Sequence, residues 1–232
     1  MGVAQGDWHE FASGGELAAA LAGRVAEVLR AAIDRRGRAA LAVSGGTTPG
    51  LFFRTLSQEQ LDWAKVTVTL VDERFVPPSS PRSNAGLVAA NLLQNEAAAA
   101  GFVGLYHNAD TVEEAARLAD GEMAALTPFD VVVLGMGTDG HTASFFPDAD
   151  TLSDLLDPAS KTNVLPAHTQ SGIEPRLTLT LARIVEAGFV ALHIEGPEKR
   201  TVLEAALGAR KDLPVRAVFD HARTPIGTYW AP

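Results

Sequence analysis

The feature that most constrains this chain is a regular alternation of short apolar runs with segments whose apolar residues recur at helical spacing. The runs at residues 39–43 and 129–134 are almost wholly apolar, as expected of strands buried on both faces of a sheet. This alternation predicts an α/β fold in which helices connect the strands of a mostly parallel sheet. The predicted strands are residues 39–43, 66–71, 102–106, 129–134, 177–181, 189–194 and 227–230.

Capping residues mark the predicted helix boundaries. Ser13 and Glu16 have the spacing of a capping box, and Gly37 follows the two arginines that close the first helical pattern. Thr48 and Pro49 predict a cap and a first-turn proline for the second helix. Further helices are predicted from Ser83 to the alanines at 97–100, from Thr111 to near Leu126, and over residues 197–207.

The domain organisation follows from what the sequence does not contain. The 232 residues show no linker, low-complexity stretch or fixed-period repeat, so we predict one domain over residues 1–232. The pattern at residues 145–180 is less regular, which leaves room for a small inserted subdomain.

Composition excludes several classes of protein. The chain has 47% hydrophobic and 20% charged residues, which is typical of a folded protein. It has no cysteine, so disulfide scaffolds, thiolate metal sites and a catalytic thiol are excluded. Its 19 Lys+Arg against 28 Asp+Glu give a formal net charge of −9, which argues against charge-driven binding to nucleic acid or an anionic membrane. We see no signal peptide or membrane-spanning segment and therefore expect a cytoplasmic location.

Polar and glycine-rich segments follow the predicted strands. They lie at residues 44–48, 72–74, 135–142 and 195–199. Because ligands of open α/β sheets bind outside the carboxyl ends of the strands, these segments are expected to share one site. In the first segment, Gly45 and Gly46 allow close approach of the backbone to a ligand, and the following helix offers free N–H groups to a phosphate. Such a turn is also common as a purely structural feature.

The segment around His141 is the most informative. This histidine follows a predicted core strand and a glycine-rich turn, a position that favours a proton-transfer role over a structural one. Asp139 either shapes the turn or orients the imidazole ring. The other five histidines lack metal-ligand spacing, so no metal site is predicted.

Several cations could surround an anion. Arg74 follows the strand ending at Val71, Arg82 and Asn84 lie in the next loop, Arg176 begins a predicted strand and Lys199 lies near a helix start. Each has an ordinary explanation as a solvated side chain or a local ion pair. Together, the four cations are able to hold a phosphate.

Five motifs in order resemble the 6-phosphogluconolactonase family. They are LAVSGGTTPG, VTLVDERFVP with the downstream Arg82-Ser83-Asn84, VVVLGMGTDGHTASFFP, PRLTLT and GPEK, and the similarity spans about residues 8–230. The resemblance implies a modified Rossmann-like three-layer fold with helices on both faces of a mostly parallel sheet. It implies hydrolysis of 6-phospho-D-glucono-1,5-lactone to 6-phospho-D-gluconate, with a neutral His141 as general base and no metal or organic cofactor.

The resemblance also suggests roles residue by residue. The predicted catalytic residues are His141, Asp139 and Arg176, and the predicted substrate-binding residues are Ser44, Gly45, Gly46, Thr47, Asp72, Arg74, Arg82, Asn84 and Lys199. The expected partner is a small phosphorylated sugar lactone, with no nucleic acid or membrane. The expected assembly is a monomer or a small homo-oligomer.

Three alternatives remain open at this point. This chain is similar to glucosamine-6-phosphate deaminases in the glycine turn and the DGH segment. The resemblance implies that a deaminase would have an FNEP-like stretch after the DGH segment, which supplies a glutamate. This chain has Ser144-Phe145-Phe146-Pro147 at that place, and it has Arg74 where a deaminase is expected to have an aromatic residue. Both differences favour the lactonase. A non-catalytic sugar-phosphate-sensing domain of the same fold is the second alternative. Nucleophilic catalysis by Ser44 or Ser144 is the third, although neither lies in a Gly-x-Ser-x-Gly elbow.

Overall fold

The computed structural model describes residues 6–170 and 174–232. Its helices are α1 (Gly14–Arg36), α2 (Gly50–Leu56), α3 (Asn84–Asn91), α4 (Val112–Met123), α5 (Leu152–Leu155), α6 (Leu181–Val185), α7 (Pro197–Leu207) and α8 (Val215–His221). Its strands are β1 (Asp7–Glu10), β2 (Ala39–Val43), β3 (Val66–Leu70), β4 (Asp72–Arg74), β5 (Gly101–Phe102), β6 (Val131–Leu134), β7 (Val164–Ala167), β8 (Arg176–Leu179), β9 (Phe189–Glu195) and β10 (Gly227–Ala231). Short 3₁₀ helices cover Trp63–Lys65 and Asn95–Ala99.

A parallel sheet organises the molecule. Within the described residues it has seven strands in the order β1-β10-β9-β6-β2-β3-β5, and every neighbouring pair is parallel. The central strands β2 and β6 are buried along their whole length. The predicted α/β fold with a mostly parallel sheet is therefore confirmed, and the carboxyl ends of β2, β6 and β9 lie side by side.

A second, antiparallel sheet was not foreseen. Its strand order is β4-β8-β7, and Arg74 is the register partner of Arg176. Residues 72–74 were predicted as a polar segment that follows a strand, and the structure shows that they form a strand of their own. Two of these three strands fall within the irregular region at 145–180, whereas β4 comes from outside it.

The first helix shows how local signals position the core. The Ser13 hydroxyl accepts a hydrogen bond from the Glu16 backbone N–H at 3.3 Å, and the Glu16 carboxylate accepts one from Ala12 N–H at 3.3 Å. Gly37 ends the helix in the left-handed conformation with φ 73°. The buried face between these ends joins one continuous hydrophobic cluster with the sheet. Each large aliphatic side chain buried there contributes about 1.5–3 kcal/mol to folding.

Four predicted element boundaries were wrong. The helix that begins at Asn84 ends at Asn91 and does not continue to the alanines at 97–100, since the chain turns through Asn95 with φ 50°. The strand predicted over 102–106 is confined to Gly101–Phe102, and the strand predicted to reach residue 181 ends at Leu179, before α6. Thr48 makes no cap, because Pro49 occupies the N-cap position of α2. Strands β1 and β7 were not predicted.

None of the helices in the described part of the chain is long and apolar enough to span a membrane.

Candidate active site

A cavity of about 260 Å³ lies at the carboxyl ends of β2, β6 and β9, beside the antiparallel sheet. Its walls come from segments that are distant in sequence, as expected for a site at the edge of a parallel sheet. Ten predicted site residues line it: Ser44, Gly45, Gly46, Thr47, Asp72, Arg74, Asn84, His141, Arg176 and Lys199. The lining also includes Thr48, Phe53, Phe146 and His193, which were not among the predicted site residues.

The glycine turn after β2 forms one wall. Ser44 is fixed by its N–H, which donates to the Val133 carbonyl at 2.9 Å, and by its hydroxyl, which accepts from Gly135 N–H at 3.0 Å. Gly46 has φ 96°, a conformation that few residues other than glycine adopt. At Gly45 a Cβ atom would lie 1.9 Å from the Asn84 side-chain oxygen, so only glycine fits. The turn therefore leaves its backbone open toward the cavity.

Asp72 and Asn84 form the neighbouring wall. The buried Asp72 carboxylate accepts a hydrogen bond from the Ser144 hydroxyl at 2.6 Å. The Asn84 amide donates to the Asp72 carbonyl at 2.8 Å, which joins the start of α3 to β4. Because the Ser144 hydroxyl is committed to Asp72, the structure gives no support to Ser144 as a nucleophile.

Two arginines extend side by side from the antiparallel sheet. Arg176 is largely buried, with its Nη1 atom 3.9 Å from an Asp72 carboxylate oxygen and its guanidinium 5.4 Å from the centre of the Phe146 ring. Burial lowers the pKa of Arg176, while Asp72 opposes that shift, and an arginine remains charged throughout. The Nε atoms of both Arg74 and Arg176 are buried without a hydrogen-bond partner. Directly opposed like charges destabilise a sheet, so an anionic ligand between them is favoured.

His141 lies in the tight turn that follows β6. Its Nδ1 atom is 2.5 Å from the Asp139 carboxylate, and its backbone N–H donates to the same oxygen at 3.2 Å. Burial alone would raise the pKa of Asp139, but the hydrogen bonds from His141 and the attraction to it outweigh burial and lower that pKa. A proton on Nδ1 that faces Asp139 leaves Nε2 as the free base. Asp139 itself does not line the cavity, so its contact is with His141.

Glycine residues make this turn possible. A Cβ atom at Gly137 would lie 2.3 Å from the His141 ring and 2.7 Å from the Asp139 carboxylate. Gly140 has φ 79° and packs against Leu213. The Phe146 ring also packs against His141, with ring centres 4.4 Å apart and the ring planes tilted by 35°. The imidazole is thus held between the backbone and an aromatic ring.

Lys199 and His193 lie at the end of the cavity near β9 and α7. The Lys199 ammonium donates to the Thr48 hydroxyl at 3.3 Å, and burial lowers the pKa of Lys199 while Glu195 opposes the shift. His193 is buried with its Nε2 atom 3.0 Å from Glu195, and burial lowers the pKa of His193. The sequence offered one signal for His193, since it is the polar residue inside an otherwise apolar strand.

The structure places Arg82 outside the cavity lining, so its contact with a substrate stays a prediction. Its guanidinium pairs with Glu174 at 2.5 and 2.7 Å, and Arg82 does not line the cavity. Its backbone carbonyl instead accepts a hydrogen bond from the Arg74 guanidinium. The partner lies 92 residues away in sequence, so no local pattern could have revealed that the charge of Arg82 is already neutralised.

Within residues 6–170 and 174–232, no group of three or more His, Asp or Glu side chains is arranged to hold a metal ion. The arrangement presents a histidine in contact with a carboxylate, and a cavity lined by a glycine turn and by three cations, Arg74, Arg176 and Lys199.

A family model and several relatives match this chain over nearly its whole length. The model described as "Glucosamine-6-phosphate isomerases/6-phosphogluconolactonase" matches residues 12–230. A 6-phosphogluconolactonase from Mesorhizobium japonicum is 62% identical over 227 residues, which cover 97% of this chain and 95% of that protein. One from Rhizobium meliloti is 53% identical over 227 residues, with coverage of 97% and 98%. The crystal structure of a 6-phosphogluconolactonase from Shewanella baltica has a TM-score of 0.95 at 36% identity and covers 99% of both chains.

Proposed function

The chain belongs to the family of glucosamine-6-phosphate isomerases and 6-phosphogluconolactonases, and from this premise we propose that it hydrolyses 6-phospho-D-glucono-1,5-lactone to 6-phospho-D-gluconate. The observation that carries this proposal is the His141–Asp139 pair beside a cavity lined by Arg74, Arg176 and Lys199. It combines a base for water with cations for a phosphorylated substrate.

The phosphate of the substrate is held by Lys199 and by the glycine turn. Lys199 already donates to Thr48, so its ammonium group points at the turn and not into bulk solvent. The backbone N–H groups of Gly46 and Thr47 add donors that need no side-chain reorganisation. Binding at this remote group orients the lactone ring, and binding energy is converted into correct placement of C1.

His141 acts as the general base in the hydrolytic step. Neutral Nε2 takes a proton from water as the water oxygen bonds to C1, and Asp139 stabilises the imidazolium that forms. The tetrahedral intermediate then loses its bond between C1 and the ring oxygen, and His141 returns the proton to that oxygen. The products are the C1 carboxylic acid, which ionises, and a free hydroxyl group. General acid–base catalysis by a positioned side chain typically raises the rate about 10²- to 10⁴-fold.

The negative charge that develops on the C1 oxygen needs a donor. Arg176 is suited to this role because it is largely buried, its Nε atom has no protein partner, and Phe146 covers its guanidinium. A fixed donor in a site shielded from water stabilises such a charge more strongly than the same donor in solvent.

The surroundings of His141 favour lactone hydrolysis over a deaminase-like isomerisation. In this chain residues 144–147 bring Ser144 to Asp72 and Phe146 onto His141, and these four residues include no Asp or Glu. A sugar-phosphate-sensing domain without catalysis would not need the His141–Asp139 pair. The substrate is therefore a phosphorylated lactone, and we expect no nucleic acid or membrane partner, a cytoplasmic location, and a monomer or small homo-oligomer.

A coupled assay tests the proposed function. Freshly prepared lactone is mixed with the protein, and 6-phosphogluconate is measured through an added NADP-dependent 6-phosphogluconate dehydrogenase. We expect product to form well above the rate of spontaneous hydrolysis, in proportion to protein concentration. A rate equal to the spontaneous one would overturn the proposal. Ammonia release from glucosamine 6-phosphate in a parallel sample would favour the isomerase alternative.

A further inference from the structure

Glu73 is a buried carboxylate that the mechanism above does not use. It lies in β4 between Asp72 and Arg74, is fully buried, and does not line the cavity. No Lys, Arg or His side chain of the described chain lies within salt-bridge distance of it. A buried charge without a cationic partner destabilises the fold unless hydrogen bonds satisfy it. The hydrogen-bond donors to Glu73 therefore indicate the role of this carboxylate.

Four donors converge on this carboxylate. One oxygen accepts from the Arg74 backbone N–H at 2.7 Å and from Asn84 N–H at 2.8 Å. The other accepts from Ala85 N–H at 2.8 Å and from the Ser83 hydroxyl at 2.9 Å. Burial raises the pKa of Glu73, and these four hydrogen bonds oppose that shift. Both oxygens are thus satisfied by groups at the end of β4 and at the start of α3.

The residues held by these bonds form part of the cavity wall. Arg74 and Asn84 both line it, and the Asn84 side chain reaches back to the Asp72 carbonyl. The same side chain lies where a Cβ of Gly45 would be, so it also contacts the glycine turn. A shift of the Asn84 backbone would therefore move two walls of the site at once.

We infer that Glu73 is a positioning residue of the active site, which holds Arg74 and Asn84 against the glycine turn through its four hydrogen bonds. This inference rests on the proposed function. A purely structural role would require only that the carboxylate stabilise the fold. A positioning role requires in addition that folded protein without the carboxylate bind and turn over its substrate poorly.

The test compares Glu73→Gln with Glu174→Gln. Glutamine keeps the size of Glu73 but turns an NH₂ group toward N–H donors, so two of the four hydrogen bonds become unfavourable. Glu174 is the matched control. Its carboxylate contacts Arg82, which lies between β4 and α3, but Glu174 does not line the cavity. We expect E73Q to lower kcat/KM about 10- to 100-fold, with a raised KM for the lactone, at temperatures where circular dichroism shows it folded. E174Q should stay within about twofold of the wild type.

A folded E73Q with kcat/KM within about twofold of the wild type would overturn the inference. If E73Q does not fold, Ser83→Ala is used, which removes one of the four donors to Glu73. It should lower kcat/KM about three- to tenfold, and an unchanged value would again overturn the inference. Isothermal titration of each variant with 6-phosphogluconate should show weaker binding in the same order.

Amide hydrogen exchange separates failure of this inference from failure of the proposed function. In E73Q, the amides of Arg74, Asn84 and Ala85 should exchange faster, while those of β6 should not change. This result does not depend on which reaction the protein catalyses. An inactive wild type would therefore refute the proposed function alone, whereas unchanged exchange at these three amides would refute the role of Glu73.

Discussion

At the scale of single residues, the proposed chemistry depends on how the His141 ring is held. His141 has Asp139 at 2.5 Å and the Phe146 ring packed against it, so its ring has little freedom to turn. Asp139 contacts both the turn and the ring, because the same carboxylate oxygen accepts a hydrogen bond from the His141 backbone N–H and lies 2.5 Å from the imidazole Nδ1 atom. The two roles that the sequence left open are therefore compatible.

Replacement of His141 tests the general base directly. We expect His141→Ala to lower kcat by about 10²- to 10⁴-fold, because it removes the proposed base for the attacking water, while KM changes little. Steady-state kinetics with the coupled assay measures both. A kcat near the wild-type value would remove His141 from the mechanism.

Lys199 and Arg82 make a matched pair of cations. Lys199→Ala should raise KM for the lactone about 10- to 100-fold, because it removes a charged donor from the cavity. Arg82→Ala should change KM less than about threefold, since Glu174 already neutralises that guanidinium on the outer side. Equal effects of the two substitutions on KM would show that Arg82 contacts the substrate.

At the scale of elements, the residues of the site come from turns, strands and a helix: His141 lies in a tight turn, Arg74 and Arg176 lie in β4 and β8, and Lys199 lies in the first turn of α7. The helix and strand signals in the sequence were strong for α1, β2 and β6, where periodicity and caps agree over many residues. They were weak for β1, β5 and β7, which are strands of two to four residues at sheet edges or in the small sheet. Such short strands form because another strand lies beside them and pairs with their backbone. The local sequence pattern does not show which strand that is.

The turn after β6 gives a prediction at this scale. Gly137→Ala should lower kcat at least about tenfold, because the added methyl group would lie 2.3 Å from the His141 ring and displace it. Gly121→Ala is the control, since it lies inside α4 with open space around its Cβ position. It should leave kcat unchanged and raise stability by about 0.5–1 kcal/mol. Thermal denaturation and kinetics on both variants check these outcomes, and normal kcat in G137A would contradict the close packing.

At the scale of the whole molecule, the acidic surface and the cationic site coexist. The formal charge of −9 is spread over the chain, whereas Arg74, Arg176 and Lys199 meet in one cavity. Contacts at hydrogen-bond distance act there, while distant charges are screened beyond about 8–10 Å at physiological salt. The net charge therefore does not oppose a phosphorylated substrate.

Global stability should depend on pH through His193. Burial lowers the pKa of His193 in the folded protein below the ordinary value of 6.5, so folding favours its neutral form. The contribution of neutral His193 to the free energy of unfolding is fully present above about pH 6.5, and it is lost as the pH falls through the pKa that His193 has in the folded protein. We expect the free energy of unfolding to decrease with acidification in this range, and His193→Gln to reduce that dependence. Urea denaturation at several pH values measures this, and an equally steep dependence in H193Q would contradict the assignment.

Local sequence by itself determined the parallel α/β architecture and the segments that meet at its edge. Strand burial, helix caps and glycine turns act within a few residues, and these signals together with the family resemblance predicted twelve site residues, of which ten line the cavity. Only the tertiary structure decided that Arg82 is bound to Glu174, that β4 pairs with β8, that His193 reaches the site and that Glu73 holds Arg74 and Asn84. Each of these contacts joins residues that are brought together by the fold. A local sequence pattern covers only a few neighbouring residues, so it cannot show which distant residue will lie close in space.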